Sequence, residues 1–343
     1  MRATVRDVAK LAGVSPKTVS NVINGVVPVR AETRERVESA LAQLDYVPNM
    51  SARGLRNGRS GNIALALPDL STAYSAELAR HFVELAHERG WAIQLEQSGN
   101  DPRREVELVS RARTHLVDGL VLNPTLLSMS VVADHDESEL PPIVVIGEVE
   151  PDGIDQVHVD SELAARQMTE HLIATGHRRI AIVGGSGGRF RSATSLLRQR
   201  GYSAALSAAG LAEEPELNLV PTAWTPAAAA SELTALLDTC ERDGRALPDA
   251  VFCFTDSMAL GVLHVLAGRG IRVPDEISVV GFDDIDEASF AIPALTTVRF
   301  DKRAIADAAL SALARRIGDA DAPASDIVIA HEIVHRDSVA RRL

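Results

Sequence analysis

Residues 13–27 read GVSPKTVSNVINGVV, a stretch with the apolar spacing of an amphipathic helix but with a proline near its start. A proline in the interior of a helix costs about 3 kcal/mol. The conflict disappears if Ser15 is the N-cap and Pro16 is the first helical residue, where the missing N–H would have had no partner. The stretch therefore predicts a short helix that begins abruptly at Pro16.

Two further helices are predicted beside this one. Thr4 and Asp7 have the spacing of a capping box ahead of an apolar segment, and Gly13 follows that segment as a helix terminator. Residues 31–44, AETRERVESALAQL, place their apolar side chains in one stripe of a third helix. Three short helices within 50 residues, the first two joined by a turn that contains glycine, are typical of a helix-turn-helix.

Charge is distributed unevenly along the chain. The whole protein has a formal net charge of −12, yet residues 1–60 contain ten Lys or Arg and five Asp or Glu side chains. That segment is therefore at +5, which leaves −17 for the remainder. A small basic segment on a large acidic body indicates a polyanionic partner for the basic segment. A solvated basic face would give the same count.

The N-terminal segment closely resembles the DNA-binding head of the lactose/galactose-repressor family of bacterial transcription regulators. The matching pieces are DVAKLAGVS, TVS, VING, ETRERV, LDYVPN and ARGLR. The resemblance implies that Pro16, Lys17 and Asn21 read base edges, while Thr18 and Ser20 lie near phosphates. Lysine suits guanine O6 and N7, and asparagine suits adenine N6 and N7. The full set of DNA-contacting residues implied by the resemblance is Thr4, Pro16, Lys17, Thr18, Ser20, Asn21, Asn24, Ala52, Arg53 and Leu55.

Residues 48–61, PNMSARGLRNGRSG, are similar to the hinge helix of the same family. In such proteins paired hinge helices enter the minor groove at the operator centre, where Leu55 would match the leucine that wedges between base pairs. Ala52 and Arg53 flank the same face. Because Gly54 lowers helix propensity by about 1 kcal/mol and so short a helix is marginal alone, we expect this segment to fold on DNA. A flexible linker is the alternative reading of the segment.

Two residues depart from the family pattern in the head. Many members carry arginine where this chain has Asn21, so its preferred half-site should differ from theirs. Arg30 stands where the family usually has a serine that caps the third helix, and the loss of that cap costs about 1 kcal/mol. A contact from Arg30 to a phosphate is the alternative use of this position.

Beyond residue 61, strand-like runs alternate with helical ones. IALALP, WAIQLEQ, GLVLN, PIVVIG, RIAIVGG, AVFCFTD and ISVVGFDD are separated by helical segments such as SAELARHFVELAHERG. Such alternation predicts parallel sheets covered by helices, and the number of units suits two doubly wound lobes. Ligands in these folds bind at the carboxyl ends of strands. The residues at those ends are Asp69, Asn123, Gly147, Asp256 and Asp283.

The family resemblance extends over essentially the whole chain through ALPDLS, VDGLVL, GHRRIAIVGG, RQRGYSAAL, TDSMALGVL, PDEISVVGFDD and PALTTVRFD. It implies a small all-α helix-turn-helix head and an α/β body with the periplasmic-binding-protein type I fold, in which an effector lies between two doubly wound parallel-sheet lobes. The expected divisions are the head at 1–47, the hinge at 48–61, an N-terminal lobe at 62–158 and 294–320, and a C-terminal lobe at 159–293 and 321–343.

Family positions that line the cleft between the lobes imply a set of effector-binding residues. They are Tyr74, Ser75, Asn123, Arg198, Trp224, Thr255, Asp256, Asp283 and Phe300. Carboxylates, amides, an arginine and an aromatic plate are typical of sites for sugars, whose hydroxyls form hydrogen bonds and whose ring face stacks. Purine-binding relatives tend to have further aromatic residues where this chain has Ser75, which favours a sugar or polyol as the small-molecule effector.

Three cleft positions depart from the family pattern. Thr255 replaces the usual asparagine, Phe300 replaces a polar residue, and the usual acid is missing at Gly147. Two other positions have plain alternatives, a surface charge for Arg198, whose helix is rich in arginine, and a core position for Trp224. The sequence therefore indicates a class of ligand but no particular sugar.

The sequence gives no indication of a metal, a cofactor or catalysis. Asp283 and Asp284 have no His or Asp partners at ligand spacing. GGSGG at 184–188 lacks the Gly-Lys-Ser/Thr of a P-loop and the spacing of a dinucleotide fingerprint. No GxSxG, HExxH or paired-carboxylate motif stands in a supporting context. We therefore expect a protein that is not an enzyme and that binds neither metal nor cofactor.

Composition and the N-terminal sequence favour a cytoplasmic location. Cys240 and Cys253 are the only cysteines, and MRATVRDVAK contains no apolar signal region. No apolar run approaches the roughly 20 residues of a membrane span, so no membrane partner is expected. The main alternative function is a solute-binding protein of a transport system. Such a protein would need a signal peptide and would have no use for a basic helix-turn-helix head.

The expected mechanism is a shift in population between two states. Two heads on a homodimer would read a pseudo-palindromic operator in double-stranded DNA, and effector binding would change the distance between the hinges. The C-terminal residues IVHRDSVARRL lack the leucine heptads that some relatives use to form tetramers, so a dimer is expected. We therefore expect a transcriptional repressor that is switched by a small molecule.

Overall fold

The computed structural model describes residues 3–24, 27–46, 59–99, 101–113, 117–124, 142–148, 154–187 and 192–342. The chain forms two compact units, residues 1–60 and residues 61–343. Three of the residues expected to contact DNA, Ala52, Arg53 and Leu55, lie outside the described residues, as does the side chain of Asn24.

The described part of the first unit contains three helices. They are α1 (Val5–Ala12), α2 (Pro16–Asn24) and α3 (Ala31–Gln43). Val8, Val19 and Val37, one from each helix, are fully buried and form the centre of its core. Helices this short are marginal alone, so the burial of one apolar stripe from each stabilises all three together. The predicted three-helix head is confirmed.

The two ends of α1 are fixed by the residues that the sequence indicated. Thr4 Oγ1 accepts a hydrogen bond from the Asp7 N–H at 3.4 Å, and Asp7 Oδ2 accepts one from the Thr4 N–H at 2.9 Å. These two bonds complete the predicted capping box. Gly13 ends the helix with φ 65°, a left-handed conformation that glycine adopts without strain.

The starts of α2 and α3 differ in how they are capped. Ser15 Oγ accepts a hydrogen bond from the Thr18 N–H at 3.1 Å, and α2 begins at Pro16, as predicted. Arg30 occupies the N-cap position of α3, and its side chain makes no capping hydrogen bond among the described residues. The third helix therefore lacks the stabilisation of about 1 kcal/mol that a serine cap gives, as the sequence led us to expect.

The described part of the second unit is built from alternating strands and helices. Its strands are β1 (Asn62–Leu67), β2 (Ala92–Gln97), β3 (Gly119–Leu122), β4 (Ile143–Ile146), β5 (Asp155–His158), β6 (Ile180–Val183), β7 (Asn218–Leu219), β8 (Ala250–Cys253), β9 (Ser278–Phe282), β10 (Thr296–Phe300), β11 (Asp326–Val328) and β12 (His331–Val334). Its helices are α4 (Ala73–Glu88), α5 (Pro102–Arg113), α6 (Ser161–Ala174), α7 (Ala193–Ala208), α8 (Pro226–Asp243), α9 (Asp256–Gly268), α10 (Asp286–Phe290) and α11 (Lys302–Gly318). None of the described helices has both the length and the apolar character that a bilayer span requires.

These strands form two six-stranded sheets within the described residues. The first has the order β2-β1-β3-β4-β5-β11, and the second has the order β7-β6-β8-β9-β10-β12. The described neighbours are parallel, with the exception of β10 and β12, which are antiparallel. Strands such as β4 and β8 are buried along their whole length, which explains their unbroken apolar sequences, IVVI and AVFC. The predicted two-lobed α/β body is confirmed.

Two strands lie in the lobe opposite to the one expected. β10 pairs in parallel with β9 of the second sheet, so the chain reaches the first lobe only with α11, which packs on α4 and on β3 to β5. β11 pairs with β5 of the first sheet, so the chain returns to the second lobe only with β12. The boundaries expected at residues 294 and 321 are therefore wrong by one strand each. The sheet that a short strand joins is decided by its pairing partner, which its own sequence does not reveal.

A buried carboxylate holds the returning segment on the first sheet. Asp155, fully buried at the start of β5, accepts hydrogen bonds from Arg315, from Arg316 at 2.9 Å and from the Ser325 N–H at 2.9 Å. Burial opposes ionisation, but the hydrogen bonds from Ser325 and Arg316 bring the pKa of Asp155 below its usual value. The end of α11 and the start of β11 are thereby attached to the same strand.

Candidate functional site

A cavity of about 200 Å³ lies between the two lobes, at the carboxyl ends of strands from both sheets. Residues at the ends of β1, β3, β4 and β5 line one side, and residues at the ends of β7, β8, β9 and β10 line the other. Open α/β sheets bind their ligands at such a place. Eight of the nine residues predicted for the effector line this cavity. They are Tyr74, Ser75, Asn123, Arg198, Trp224, Thr255, Asp283 and Phe300.

Asp256, the ninth predicted residue, lies behind the wall of the cavity. It is the first residue of α9 and is fully buried, with Oδ1 accepting from Thr297 Oγ1 at 2.6 Å and Oδ2 accepting from the Ile285 N–H at 3.0 Å. Burial and the charge of Asp283 raise its pKa well above the usual value. A Cβ on Gly281 would lie 2.0 Å from Asp256 Oδ1, so the carboxyl group occupies space that this glycine leaves open. Asp256 therefore ties α9 to the second sheet.

Arg198, on α7, is held on three sides. Its guanidinium lies 3.3 Å from the centre of the Phe282 ring, its Nη1 donates to the carbonyl oxygen of Phe254, and its Nη2 lies 3.7 Å from Asp283 Oδ1. Burial lowers the pKa of Arg198, and the Asp283 carboxylate opposes that effect. Its Nε is buried and has no hydrogen-bond partner among the described residues. The plain reading of Arg198 as a surface charge is wrong.

Asp283 stands in a strained turn at the end of β9. Its φ is 109° and that of Asp284 is 46°, both in a region that residues other than glycine rarely adopt. Lys302 Nζ donates to the carbonyl oxygens of Asp283 at 2.6 Å and of Asp284 at 3.0 Å, which stabilises the turn. Burial raises the pKa of Asp283 to about 6, while the positive charges of Arg198 and Lys302 act in the opposite direction.

One side chain of the first lobe connects this turn to the opposite side of the cleft. Glu77, on α4, accepts a hydrogen bond from the Asp286 N–H at 2.8 Å through Oε1, and its Oε2 lies 3.0 Å from Lys302 Nζ. Asp286 begins α10 in the second lobe, directly after the turn that contains Asp283. The geometry of the cleft carboxylate is therefore linked to a contact between the lobes.

The sequence prediction missed two titratable residues of the cavity, Glu148 and His158. Glu148 Oε1 accepts a hydrogen bond from the Ser161 N–H at 2.7 Å and lies 3.6 Å from His158 Nδ1, while His158 Nε2 lies 2.9 Å from Asp326 Oδ1. Burial alone would lower the pKa of His158. The Glu148 and Asp326 carboxylates have the larger, opposite effect, so the pKa of His158 lies above its usual value.

Glu148 supplies an acid next to Gly147, the position at which the usual acid of the family is missing. The acid stands one residue beyond Gly147, whose φ is 106°. Glu148 lies two residues after β4 and His158 ends β5, so the rule that points to the carboxyl ends of strands applies to both. His158 was missed because DQVH, the sequence of β5, was not among the predicted strands.

Aromatic and hydroxyl side chains complete the walls of the cavity. The Tyr74 and Phe300 rings meet edge to face, with centroids 6.2 Å apart, and Trp224 lines the cavity while packing against the main core of the body. Burial raises the pKa of Tyr74 far above its usual value, so its hydroxyl stays neutral. The serine and threonine residues of the described lining are Thr72, Ser75, Ser161, Ser192, Thr194, Thr255 and Ser257. Such a surface combines stacking planes with many hydrogen-bonding groups.

The surface of α2 in the head agrees with a base-reading role. Pro16 and Lys17 are exposed in its first turn, while Thr18, Ser20 and Asn21 are half-buried. The opposite side of the helix packs into the head core through Val19 and Val22. The first turn therefore presents the residue types that a recognition helix uses. Thr4, which caps α1, is also exposed.

The two aspartates at the end of β9 are engaged by basic side chains. Asp284 Oδ1 accepts a hydrogen bond from Arg336 at 2.6 Å, and Asp283 lies against Arg198. Among the described residues, no three His, Cys, Asp or Glu side chains come together in a way that could hold a metal ion.

Two protein-family models match the chain, one near its N-terminus and one in the C-terminal part of its body. Residues 4–49 match the model of bacterial regulatory proteins of the lacI family, and residues 169–339 match the periplasmic binding protein-like domain. The chain is 32% identical to the HTH-type transcriptional repressor PurR of Histophilus somni (strain 129Pt), over 98% of this chain and 99% of that protein. The chain belongs to the lacI family of bacterial regulatory proteins.

Solved structures of lacI-family regulators have the same architecture. The lac repressor dimer bound to operator and the anti-inducer ONPF is 27% identical, with a TM-score of 0.85 over 99% of this chain and 100% of that one. The complex of the transcriptional regulator CelR with cellobiose is 30% identical, with a TM-score of 0.70 over 98% of this chain and 100% of that one. The protein is therefore a ligand-responsive, DNA-binding transcription regulator. The alternative function, a solute-binding protein of a transport system, is not favoured because such a protein has no lacI-type head.

Proposed function

We propose that the protein is a dimeric repressor that binds a pseudo-palindromic operator and is switched by a sugar or polyol in the cleft between its lobes. The observation that carries this proposal is the lining of the cleft. Asp283 and Arg198 stand beside the rings of Tyr74, Trp224 and Phe300, in a cavity rich in hydroxyl groups. Carboxylates accept hydrogen bonds from ligand hydroxyls, and aromatic rings pack on the apolar face of a sugar.

In this proposal the head reads DNA through the first turns of α2. Lys17 and Asn21 contact base edges, with Pro16 packed beside them, and Thr18 and Ser20 lie at phosphates. The exposed position of Lys17 at the start of the helix supports this assignment. The further contacts come from Thr4, Asn24, Ala52, Arg53 and Leu55, the last three in a hinge that enters the minor groove.

The cleft would transmit its state through the contact between the lobes. A ligand that binds Asp283 from one lobe and Asn123 from the other favours one relative position of the lobes over another. Glu77 supports this route, because it accepts a hydrogen bond from Asp286, directly after the turn that carries Asp283, and pairs with Lys302, which bonds the turn itself. The ligand then shifts the population of the DNA-binding state by as much as its affinities for the two states differ.

The proposed assembly is a homodimer that acts on DNA in the bacterial cytoplasm. A pseudo-palindromic operator requires two heads related by a two-fold axis. Phe290 and Ile292, two residues apart in the second lobe, are 84% and 94% exposed, which leaves two large apolar side chains uncovered in a single chain. The related lac repressor was solved as a dimer bound to its operator.

The proposal is tested by selecting an operator and then releasing it. The full-length protein is used to select binding sites from random double-stranded DNA, and the selected duplex is titrated by fluorescence anisotropy with and without each of a series of neutral sugars. We expect a pseudo-palindromic site and one or more sugars that change its affinity in either direction. Asp283→Ala should bind the same duplex but lose the response to sugar. A site without two-fold symmetry, or an affinity that no sugar changes, contradicts the proposal.

A further inference from the structure

The balance of charge in the cleft restricts the ligand further than the proposed function does. Among the described residues that line the cavity, the groups able to carry positive charge are Arg198 and His158, and the carboxylates are Asp69, Glu148 and Asp283. Even with His158 protonated, these described groups carry one more negative than positive charge. An anionic ligand would therefore need a basic side chain that is free of its present partners.

Arg198 is not free in this sense. Its guanidinium is stacked on Phe282, donates to the carbonyl oxygen of Phe254 and lies 3.7 Å from the Asp283 carboxylate. Its unpartnered atom is Nε, a single N–H that suits one neutral acceptor such as a hydroxyl oxygen. A phosphate is bound by arginine through the paired N–H groups of the fork, which are directed elsewhere here.

His158 bonds one carboxylate and faces a second at a longer distance. Nε2 lies 2.9 Å from Asp326 Oδ1, and Nδ1 lies 3.6 Å from Glu148 Oε1. Nδ1 is buried and has no hydrogen-bond partner among the described residues, because 3.6 Å is beyond hydrogen-bond distance. A ligand hydroxyl placed between Nδ1 and the Glu148 carboxylate could bond to both groups. A ligand phosphate at the same place would face the Glu148 carboxylate, and no cation among the described lining residues is free to pair with it.

We propose that the cleft binds uncharged, polyhydroxylated ligands and rejects their phosphorylated and acidic forms, and that Glu148 is a main determinant of this selectivity. The inference rests on the proposed sugar effector and specifies its charge. Like charges in a desolvated cleft repel strongly, because the local dielectric constant is low. Glu148 has this effect because its partner His158 is shared with Asp326, whereas Asp283 is matched by Arg198.

The test uses pairs of probes that differ by one anionic group. The full-length protein is screened by thermal shift against glucose, fructose, trehalose and cellobiose, each beside its 6-phosphate, with gluconate and hypoxanthine added. Dissociation constants of the binders are then measured by isothermal titration calorimetry. We expect the neutral member of a binding pair to bind at least tenfold more tightly than its phosphate.

Two variants locate the cause of the selectivity. Glu148→Gln keeps an oxygen that can accept from the Ser161 N–H but removes the charge, so the preference for the neutral member should fall at least threefold. Glu162→Gln is the matched control, since Glu162 is exposed on α6 and does not line the cavity. It should leave the preference unchanged. The melting temperature of each variant without ligand shows that it is folded.

The possible outcomes separate this inference from the proposed function. A phosphorylated sugar that binds the wild-type protein more tightly than its neutral partner overturns the inference and leaves the sugar effector intact. An unchanged preference in Glu148→Gln overturns the role of Glu148. Binding of hypoxanthine alone, or of none of the probes, overturns both the sugar effector and the inference that rests on it.

Discussion

Lys302 Nζ donates a hydrogen bond to the backbone carbonyl oxygen of Asp283 at 2.6 Å. Lys302 begins α11 in the first lobe, and Asp283 directly follows β9 in the second, so a side chain from one lobe stabilises the strained turn that carries the cleft carboxylate of the other. Glu77, 3.0 Å from the same ammonium group, completes the contact. Relative motion of the lobes would therefore alter the position of the Asp283 carboxylate as well as the width of the cleft.

The first prediction concerns the energy of this contact. Lys302→Met should lower the free energy of unfolding of the body by about 3 kcal/mol, because it leaves the half-buried Glu77 carboxylate and two carbonyl oxygens without their cation. In a double-mutant cycle, Glu77→Gln should lower the free energy of unfolding by less in the Lys302→Met background than in the wild-type protein. The difference, the coupling energy, should be about 0.5–3 kcal/mol. Urea unfolding followed by circular dichroism measures these differences.

A surface pair provides the control for this cycle. Arg80 and Glu84, one turn apart on α4, are both largely exposed with Nη1 3.4 Å from Oε1. The same analysis of Arg80→Met and Glu84→Gln should give a coupling below about 1 kcal/mol. Strictly additive effects for Lys302 and Glu77 would contradict the ion pair that orients the Lys302 ammonium group toward the Asp283 turn.

The second prediction distinguishes Asp256 from Asp283. Asp256→Ala should destabilise the body by about 2 kcal/mol or more, because the Thr297 hydroxyl and the Ile285 N–H lose their buried acceptor. Any folded protein that remains should bind ligand with nearly unchanged affinity, since Asp256 does not line the cavity. Urea unfolding and calorimetric titration of one variant measure both effects. A large loss of affinity with little loss of stability would show that Asp256 contacts the ligand after all.

The third prediction concerns pH. The pKa of Asp283 is raised to about 6, so the native state holds this proton more tightly than the unfolded chain does. Its contribution to stability is therefore present in full below the unfolded pKa and is lost as the pH rises through 6. Ligand binding follows the opposite trend, because protonation removes charge from the acceptor of the ligand hydroxyls. Affinity for the sugar should thus fall several-fold between pH 7 and pH 5.

The matched variant for this titration is Asp283→Asn, which accepts hydrogen bonds but does not ionise. It should bind more weakly at pH 7 and should lack the part of the pH dependence that Asp283 causes. His158 also faces the cavity and has a raised pKa, so His158→Gln is titrated in parallel to assign its share. If Asp283→Asn keeps the full pH dependence of the wild-type protein, the ionisation of Asp283 is not its source.

The sequence predicted those cleft residues that directly follow an apolar strand, and it was less successful for residues placed by the local backbone or by packing. Asn123 and Asp283 directly follow apolar strands, and the structure brings both to the cavity. Glu148 was missed because Gly147, with φ 106°, turns the chain so that the next residue enters the cavity. Asp256 was misplaced because Gly281 on the neighbouring strand leaves room for its carboxyl group. Such local backbone geometry and spaces opposite glycines are tertiary properties that no strand pattern contains.

The prediction of the fold was also limited by tertiary properties that the pattern of strands does not contain. The alternation of apolar runs and helices predicted two doubly wound lobes, because strands buried on both faces have a distinctive sequence. The lobe that β10 and β11 join could not be predicted in this way, since these strands lie where the chain crosses between the sheets. Capping residues were more informative, because Thr4 and Ser15 act on amides only three residues away.

The fourth prediction concerns the proposed dimer. Phe290 and Ile292 are the most exposed large apolar side chains among the described residues, at 84% and 94%. If a second copy of the chain covers them, Phe290→Ser with Ile292→Ser should raise the dimer dissociation constant at least tenfold, measured by sedimentation equilibrium. Val328→Ser, which alters an exposed side chain of β11 in the other lobe, is the control. An unchanged dissociation constant would place the interface elsewhere.

The fifth prediction concerns the reading of bases by α2. Lys17 is exposed in the first turn, directly after Pro16, whose side chain donates no hydrogen bond. Reading of the half-site should therefore depend strongly on Lys17 and Asn21. Lys17→Ala should weaken operator binding by about 1–3 kcal/mol and should relax the preference at one base position in each half-site. Anisotropy titrations against operator duplexes with single-base changes measure both quantities.

The control for Lys17 is a basic residue of the same head on another helix. Arg34→Ala removes one positive charge from α3. Any loss of DNA affinity that it causes should be equal for all the duplexes, as expected of a residue that acts only through long-range electrostatic attraction or a phosphate contact. If Lys17→Ala also weakens every duplex equally, and reduces the salt dependence of binding by about one ion, then Lys17 contacts a phosphate and reads no base. Selective loss at one position instead means that the abrupt start of α2 at Pro16 directs Lys17 to a base edge.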